Sequence, residues 1–171
     1  MHASGMRRLI LTFATILIAL AAQAQAPTPA SVLGHTPGDD YYLANYEEAI
    51  HYFHELAAHS DRVKMFMVGK STEGRDIEVA VISSPQNLAR LDEYKTVARR
   101  LATAQGLDDT QALQLARSAK VIVHIDGGLH SSEVAGGQHS IALAYKLASA
   151  QGDPEVDNIL DNVILVLWPT L

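Results

Sequence analysis

The stretch Val121–Ser140 reads VIVHIDGGLHSSEVAGGQHS, and its pattern predicts a strand, a glycine turn and the start of a helix. Val121–Ile125 is a continuous apolar run, which is typical of a strand that is buried on both faces of a sheet. Gly127 and Gly128 follow the strand and allow a tight turn in the backbone. A buried strand that passes directly into a helix favours an α/β fold.

A second apolar strand follows this helix and indicates a parallel pair. We expect the helix to cover Glu133–Ala150, and a short helix, Pro154–Asp161, to lead into the strand Val163–Trp168. A strand–helix–strand order at this spacing predicts a right-handed parallel crossover. His124 lies within the first strand, and we expect it to be a core residue.

An antiparallel hairpin precedes the parallel strands. Apolar and polar residues alternate over Val63–Val68 and again over Ile77–Val81, and Gly69–Arg75 is a glycine-bearing connection between them. Flanking helices are predicted over Tyr41–His59, with Asp39 or Asp40 as its cap, and over two later segments. These two segments are Gln86–Ala104 and Asp108–Ser118. The predicted fold is therefore α/β, with a mixed sheet in which the hairpin comes first and the parallel strands follow.

The N-terminus has the pattern of a secretory signal peptide over residues 1–26. Arg7 and Arg8 precede the apolar run Leu9–Ala22, and two overlapping Ala-Gln-Ala cleavage sites follow. The apolar run is shorter than the roughly 20 residues that a membrane-spanning helix needs. Residues 27–40 are rich in proline, glycine and small residues, which predicts an extended linker. The sequence thus predicts a secreted or periplasmic protein without a stable membrane anchor.

The composition excludes some classes of partner. The chain has no cysteine and a net charge of −6, so its stability depends on a core or on a metal rather than on disulfides. An acidic chain lacks the clustered basic residues that nucleic acid binding requires. The sequence contains no indication of an oligomeric state.

His130 and Glu133 are the candidate metal ligands. They lie beyond the carboxyl end of a strand, where open α/β sheets bind their ligands, and imidazole and carboxylate together suit Zn²⁺. A third ligand has to come from elsewhere in the protein. Asp126 is either a hydrogen-bond acceptor for the second ring nitrogen of His130 or a loop residue. On the alternative interpretation Glu133 only caps the helix beside a surface histidine, although Ser131 or Ser132 can also act as the cap.

Three segments resemble the zinc carboxypeptidase family, in the order in which that family has them. The segment Asp126–Glu133 (DGGLHSSE) resembles its zinc-ligand motif, and Gly69–Ile77 (GKSTEGRDI) resembles its G-x-S-x-E-G-R hairpin. Asn162–Leu171 (NVILVLWPTL) resembles the strand before its Asn-Pro-Asp-Gly segment. The resemblance covers residues 41–171, which we interpret as the N-terminal part of a zinc peptidase catalytic domain, with an incomplete sheet.

The resemblance implies a zinc hydrolase that removes the C-terminal residue from a peptide substrate. His130 and Glu133 correspond to the first two zinc ligands. The family's remaining ligand, its general base and its substrate-binding residues are expected beyond Leu171, so the chain alone is predicted to bind metal weakly and to lack catalysis. Ser132 occupies a position at which many members have a substrate-binding arginine, which bears on the substrate specificity.

Two other functions fit parts of this pattern. An aspartoacylase-like N-acyl amino-acid amidohydrolase uses a related His-x-x-Glu zinc pair, but such enzymes are usually cytosolic, and the signal peptide and the hairpin motif oppose this assignment. A non-catalytic exported binding domain, in which Glu133 is only a helix cap, belongs to a different class. The residues that follow Leu171 in the gene would distinguish these alternatives.

Overall fold

The structure, a computed structural model, describes residues 25–130 and 132–170. These residues form seven helices and four strands. In chain order they are α1 (Pro29–Leu33), α2 (Tyr46–His59), β1 (Val63–Lys70), β2 (Asp76–Ile82), α3 (Pro85–Leu88), α4 (Leu91–Thr103), α5 (Asp109–Ser118), β3 (Val121–Asp126), α6 (Val134–Ser149), α7 (Pro154–Asn162) and β4 (Val163–Trp168).

The strands form one mixed sheet in the spatial order β1-β2-β4-β3. β1 pairs antiparallel with β2, which pairs antiparallel with β4. β3 and β4 are parallel, with Val121 opposite Val163 and Asp126 opposite Trp168. The mixed α/β fold predicted from the sequence is confirmed, and the carboxyl ends of β3 and β4 meet at the same edge of the sheet.

The core lies between one face of this sheet and the helices α2 and α6. Tyr52, Phe53 and Leu56 of α2 and Ile141 of α6 are fully buried there. They pack against inward-facing residues of β2 and β4, among them Leu167. The helix that carries Glu133 at its start is therefore fixed to the sheet by apolar packing along its length.

The opposite face of the sheet is covered less completely. Leu88 and Tyr94, from α3 and α4, pack there against Val81 and Ile164 in a small second cluster. An open apolar groove of about 350 Å³ lies beside this cluster and extends to Ile122 of β3. This face is where the apolar side chains of the sheet remain accessible.

The prediction that Val121–Ile125 is buried on both faces is wrong for the described chain. Val121 is 62% exposed and Ile122 is 48% exposed, because β3 is an edge strand that pairs only with β4 among the described residues. The prediction of His124 as a core residue is also wrong, since its side chain is 56% exposed. Apolar composition predicted the strand correctly but did not predict which of its faces is covered.

The second helix starts later than predicted. It begins at Tyr46 and not at Tyr41, and its cap is Asn45 rather than Asp39 or Asp40. The side chain of Asn45 accepts a hydrogen bond from the backbone N–H of Glu48, and the Glu48 carboxylate accepts one from the backbone N–H of Asn45. This reciprocal capping box leaves residues 41–45 outside the helix.

The segment predicted as an extended linker contains a helix. α1 occupies Pro29–Leu33, and Ala26 before it is buried in the core. Residues 1–24 of the predicted signal peptide lie outside the described residues, so that peptide stays a prediction. No helix in the described part of the chain is long and apolar enough to cross a bilayer.

Arg62 fixes the far end of α6. Its guanidinium donates to the carbonyl oxygen of Ala150 at 3.2 Å and to the carboxylate of Asp157, in α7, at 2.6 Å. The side chain is only 12% exposed. Because the last carbonyl groups of a helix lack partners within it, this contact satisfies one of them and joins α6 to α7.

Tyr52 makes the stability of the protein sensitive to alkaline pH. Burial raises the pKa of its hydroxyl well above the usual value, since ionisation would place a charge in the core. The folded protein therefore holds this proton to a higher pH than the unfolded chain does. The contribution of the neutral Tyr52 hydroxyl to the free energy of unfolding is complete below about pH 10 and is lost as the pH rises above that value.

We expect Tyr52→Phe to weaken this alkaline loss of stability. At neutral pH the substitution should cost about 1 kcal/mol, because the hydroxyl donates to the carbonyl oxygen of Pro27 at 3.1 Å. Urea unfolding measured from neutral to alkaline pH tests the expectation, with Tyr41→Phe at a fully exposed tyrosine as the control. Equal alkaline losses in both variants and in the unmodified protein would contradict it.

Candidate metal centre

His130 and Glu133 lie together in the connection between β3 and α6, beyond the carboxyl ends of the parallel strands. The Nδ1 atom of His130 is 2.9 Å from Oε1 of Glu133. The backbone N–H of Glu133 donates to the carbonyl oxygen of His130 at 2.8 Å, which closes the chain into a turn. Both side chains are largely exposed, at 68% and 57%. The two predicted ligands are therefore adjacent and accessible to a metal ion.

Two glycines allow the close packing that places this turn. A Cβ atom on Gly127 would lie 2.6 Å from the carbonyl oxygen of Pro169, and one on Gly136 would lie 2.6 Å from the backbone nitrogen of Gly128. Real Cβ contacts are essentially never this short. The first turn of α6 thus lies directly against the chain that leaves β3, which keeps Glu133 close to His130.

The sequence suggested that Glu133 lies in the first turn of α6, but the structure places it at the N-terminal cap position, one residue before the helix begins. Its side chain makes no capping hydrogen bond, so the carboxylate remains available to a ligand. The positive end of the helix dipole favours a negative charge at this position. Ser132 does not occupy the cap, and Ser131 lies outside the described residues.

Asp126 does not contact His130 as one interpretation had proposed. Its Oδ1 atom lies 2.9 Å from Nε2 of His124. His124 and Asp126 are two residues apart on β3 and therefore project from the same face of the sheet, whereas His130 follows the turn at Gly128. The ring of His124 also lies 5.8 Å from that of Trp168. The second ring nitrogen of His130 thus has no contact with this carboxylate.

A cleft of about 260 Å³ opens beside the His130–Glu133 pair. We call it the ligand cleft. Its lining combines the pair with the segment that precedes α2, with the first turns of α6 and with the end of β4: Leu43–Tyr46, Gly128, His130, Glu133, Val134, Gly137, Gln138 and Thr170. A molecule held by the two ligands would lie against this surface.

The segment Leu43–Tyr46 forms one wall of the cleft and is fixed by hydrogen bonds. The buried side chain of Gln138 accepts from the backbone N–H of Ala44 at 3.1 Å and donates to its carbonyl oxygen at 3.0 Å. The hydroxyl of Tyr46 donates to the carbonyl oxygen of Asp76 in β2. Together with the capping box at Asn45, these bonds tie the wall to α6, to α2 and to the hairpin.

This wall was missed in the sequence. The predicted helix Tyr41–His59 placed Leu43 and Tyr46 on its apolar face, so neither was considered as part of a site. The spacing Asn45-x-x-Glu48 is the one local signal that could have placed the start of the helix correctly. The contact between Gln138 and Ala44 joins residues far apart in the chain, and no local pattern indicates it.

The pair fits two positions of a zinc site. Zinc–ligand distances of about 2.0–2.2 Å in tetrahedral geometry separate a nitrogen and an oxygen ligand by about 3.4 Å, so the pair would open by about half an ångström from 2.9 Å. Two exposed side chains allow such a movement. Across residues 25–130 and 132–170, no cluster of three or more histidine, cysteine, aspartate or glutamate side chains is arranged to hold a metal.

The family model described as zinc carboxypeptidase matches residues 49–171, which include both candidate ligands, the hairpin and the four described strands. The chain belongs to the zinc carboxypeptidase family. The resemblance noted in the sequence is thereby confirmed for the greater part of the chain. No curated protein sequence matches the chain.

Solved structures of carboxypeptidases share the fold. Carboxypeptidase A from Helicoverpa armigera aligns with a TM-score of 0.54 and 21% identity over 95% of this chain and 31% of its own. Thrombin activatable fibrinolysis inhibitor aligns with a TM-score of 0.54 and 14% identity, and the alignment covers 84% of this chain and 29% of the inhibitor. A metallo-carboxypeptidase from Burkholderia cenocepacia aligns with a TM-score of 0.50 and 17% identity, and the alignment covers 75% of this chain and 27% of that enzyme. This member of the zinc carboxypeptidase family thus spans less than a third of those chains.

Proposed function

We propose that His130 and Glu133 are zinc ligands and that the protein acts in the hydrolysis of peptides, as a metallocarboxypeptidase. The observation that carries the proposal is the 2.9 Å approach of His130 Nδ1 to Glu133 Oε1 at the mouth of the cleft. Membership of the zinc carboxypeptidase family supports the metal and the peptide substrate. The same membership favours this function over an aspartoacylase-like amidohydrolase and over a binding domain.

The chain's own residues would hold and orient both the metal and the substrate. A zinc ion held there would act as a Lewis acid that polarises a carbonyl group. Glu133 supplies a negative charge, and the imidazole of His130 supplies a neutral nitrogen ligand. The fixed turn between them keeps both atoms on the same side of the cleft. The wall Leu43–Tyr46 limits how a peptide can approach the pair.

Zinc titration of the protein with ligand variants tests the proposal. We expect the chain to bind one zinc ion weakly, and we expect His130→Ala and Glu133→Gln each to weaken binding further by at least about tenfold, because each removes a proposed ligand. The dissociation constant can be measured by competition with a chromophoric chelator. Circular dichroism of each variant verifies that it is folded.

Matched substitutions elsewhere on α6 and α7 provide the controls. His139→Ala and Glu155→Gln alter an exposed histidine and an exposed glutamate away from the ligand pair, so zinc affinity should change by less than about twofold. If the ligand variants and these controls bind zinc equally well, His130 and Glu133 are not the ligands.

A further inference from the structure

The ligand cleft contains two exposed apolar side chains beside the candidate ligands. Leu43, in the segment before α2, is 57% exposed, and Val134, the first residue of α6, is 47% exposed. Both line the cleft that contains His130 and Glu133. Large apolar side chains that remain exposed around a concave site are typical of a surface that binds a ligand.

The wall that bears Leu43 is formed before any ligand arrives. The side chain of Gln138 holds the adjacent Ala44 through both its backbone N–H and its carbonyl oxygen. Gln138 is only 9% exposed. The hydroxyl of Tyr46, at the other end of the wall, donates to the carbonyl oxygen of Asp76 in β2. A preformed wall binds a side chain with little loss of conformational entropy.

Apart from the candidate metal site, the described lining of the ligand cleft offers no cationic group to an anionic part of a ligand. Among the described residues that line it, none is lysine or arginine, whereas Glu133 is acidic. The guanidinium of Arg75, at the tip of the hairpin, lies 3.8 Å from a carboxylate oxygen of Glu47 and 3.7 Å from one of Glu73. An acidic substrate side chain would therefore find no cationic partner on the wall.

On the basis of the proposed function, we infer that the ligand cleft is a subsite for one uncharged, apolar residue of the peptide substrate, and that Leu43 determines this specificity. The volume of about 260 Å³ is just below the range of about 300–1,000 Å³ of pockets that hold larger ligands. It therefore suits a single residue rather than a long segment.

Two zinc-binding probes that differ only in their apolar chain test the inference. We expect the zinc-loaded protein to bind 4-methylpentanohydroxamate about fivefold more tightly than acetohydroxamate, since the branched chain is partly removed from water against Leu43. Leu43→Ser should remove this preference, so that the two probes bind with similar affinities. Leu113→Ser, at an exposed leucine on α5, should retain the preference.

A zinc-free measurement separates this inference from the proposed function. In the metal-free protein, N-acetyl-L-leucinamide should shift the methyl NMR signals of Leu43 and Val134, and N-acetylglycinamide should not. If zinc does not bind but these shifts occur, the metal site is wrong and the apolar subsite stands. If zinc binds but Leu43→Ser keeps the preference, or if the methyl signals do not move, the inference is overturned.

Discussion

Gly136→Ala should destabilise the protein by about 3 kcal/mol or more. This is the upper end of the range that is usual for substitutions that overpack a core. The new Cβ would lie 2.6 Å from the backbone nitrogen of Gly128 and 3.2 Å from its Cα atom. These are backbone atoms, so no side chain can rotate away, and α6 has to move off the turn. Urea unfolding monitored by circular dichroism measures the change.

The neighbouring glycine provides the control. A Cβ on Gly137 would make only ordinary contacts, at 3.4 Å and 3.6 Å, with the side chain of Thr170. Because alanine is favoured over glycine within a helix by about 0.5–1 kcal/mol, Gly137→Ala should be neutral or slightly stabilising. Equal effects of the two substitutions would show that the approach of α6 to Gly128 does not limit stability.

The same pair of variants links the fold to the metal centre. A displacement of the first turn of α6 moves Glu133, its cap residue, away from His130. Zinc affinity should therefore fall in Gly136→Ala, even under conditions in which the variant is fully folded, and should be retained in Gly137→Ala.

Phe53→Ala should cost about 3–5 kcal/mol, as is usual for a fully buried phenylalanine. Phe53 is completely buried between α2 and the sheet and makes an edge-on contact with Tyr52 at a ring separation of 6.2 Å. Domains of this size are typically stable by about 5–15 kcal/mol, so a large part of the total would be lost. The midpoint of urea unfolding should fall accordingly.

A surface leucine provides the comparison for this substitution. Leu113 on α5 is 53% exposed, so Leu113→Ala should change stability by no more than about 0.5 kcal/mol. A Phe53→Ala midpoint close to that of Leu113→Ala would contradict the assignment of the core to the space between α2 and the sheet.

The strands were predictable because their patterns are local. Val163–Trp168 is apolar throughout and lies inside the sheet between β2 and β3, and the two alternating segments pair with each other as the hairpin of β1 and β2. The exposure of β3 was not predictable from its own residues. An apolar run shows that a strand can be covered, but its actual cover depends on segments elsewhere in the chain.

The candidate site was only partly predictable for the same reason. The spacing of His130 and Glu133 and their place between strand and helix predicted that the two candidate ligands lie together, because a turn of four residues determines their separation. The opposite wall depends on the contact of Gln138 with Ala44, which no short-range pattern encodes. The pairing of His124 with Asp126 was missed because the burial of β3 had been overestimated.

The position of β3 has a consequence for the order of events during synthesis. β1 and β2 are neighbours in the chain and can pair as soon as both are made, whereas β3 pairs only with β4 in the described sheet, and β4 is made later. Until then the apolar β3 has no strand beside it, and the turn with His130 has no fixed support. A nascent chain would thus complete its candidate metal centre after its hairpin, and during that interval β3 would be an unpaired apolar segment that a chaperone could protect.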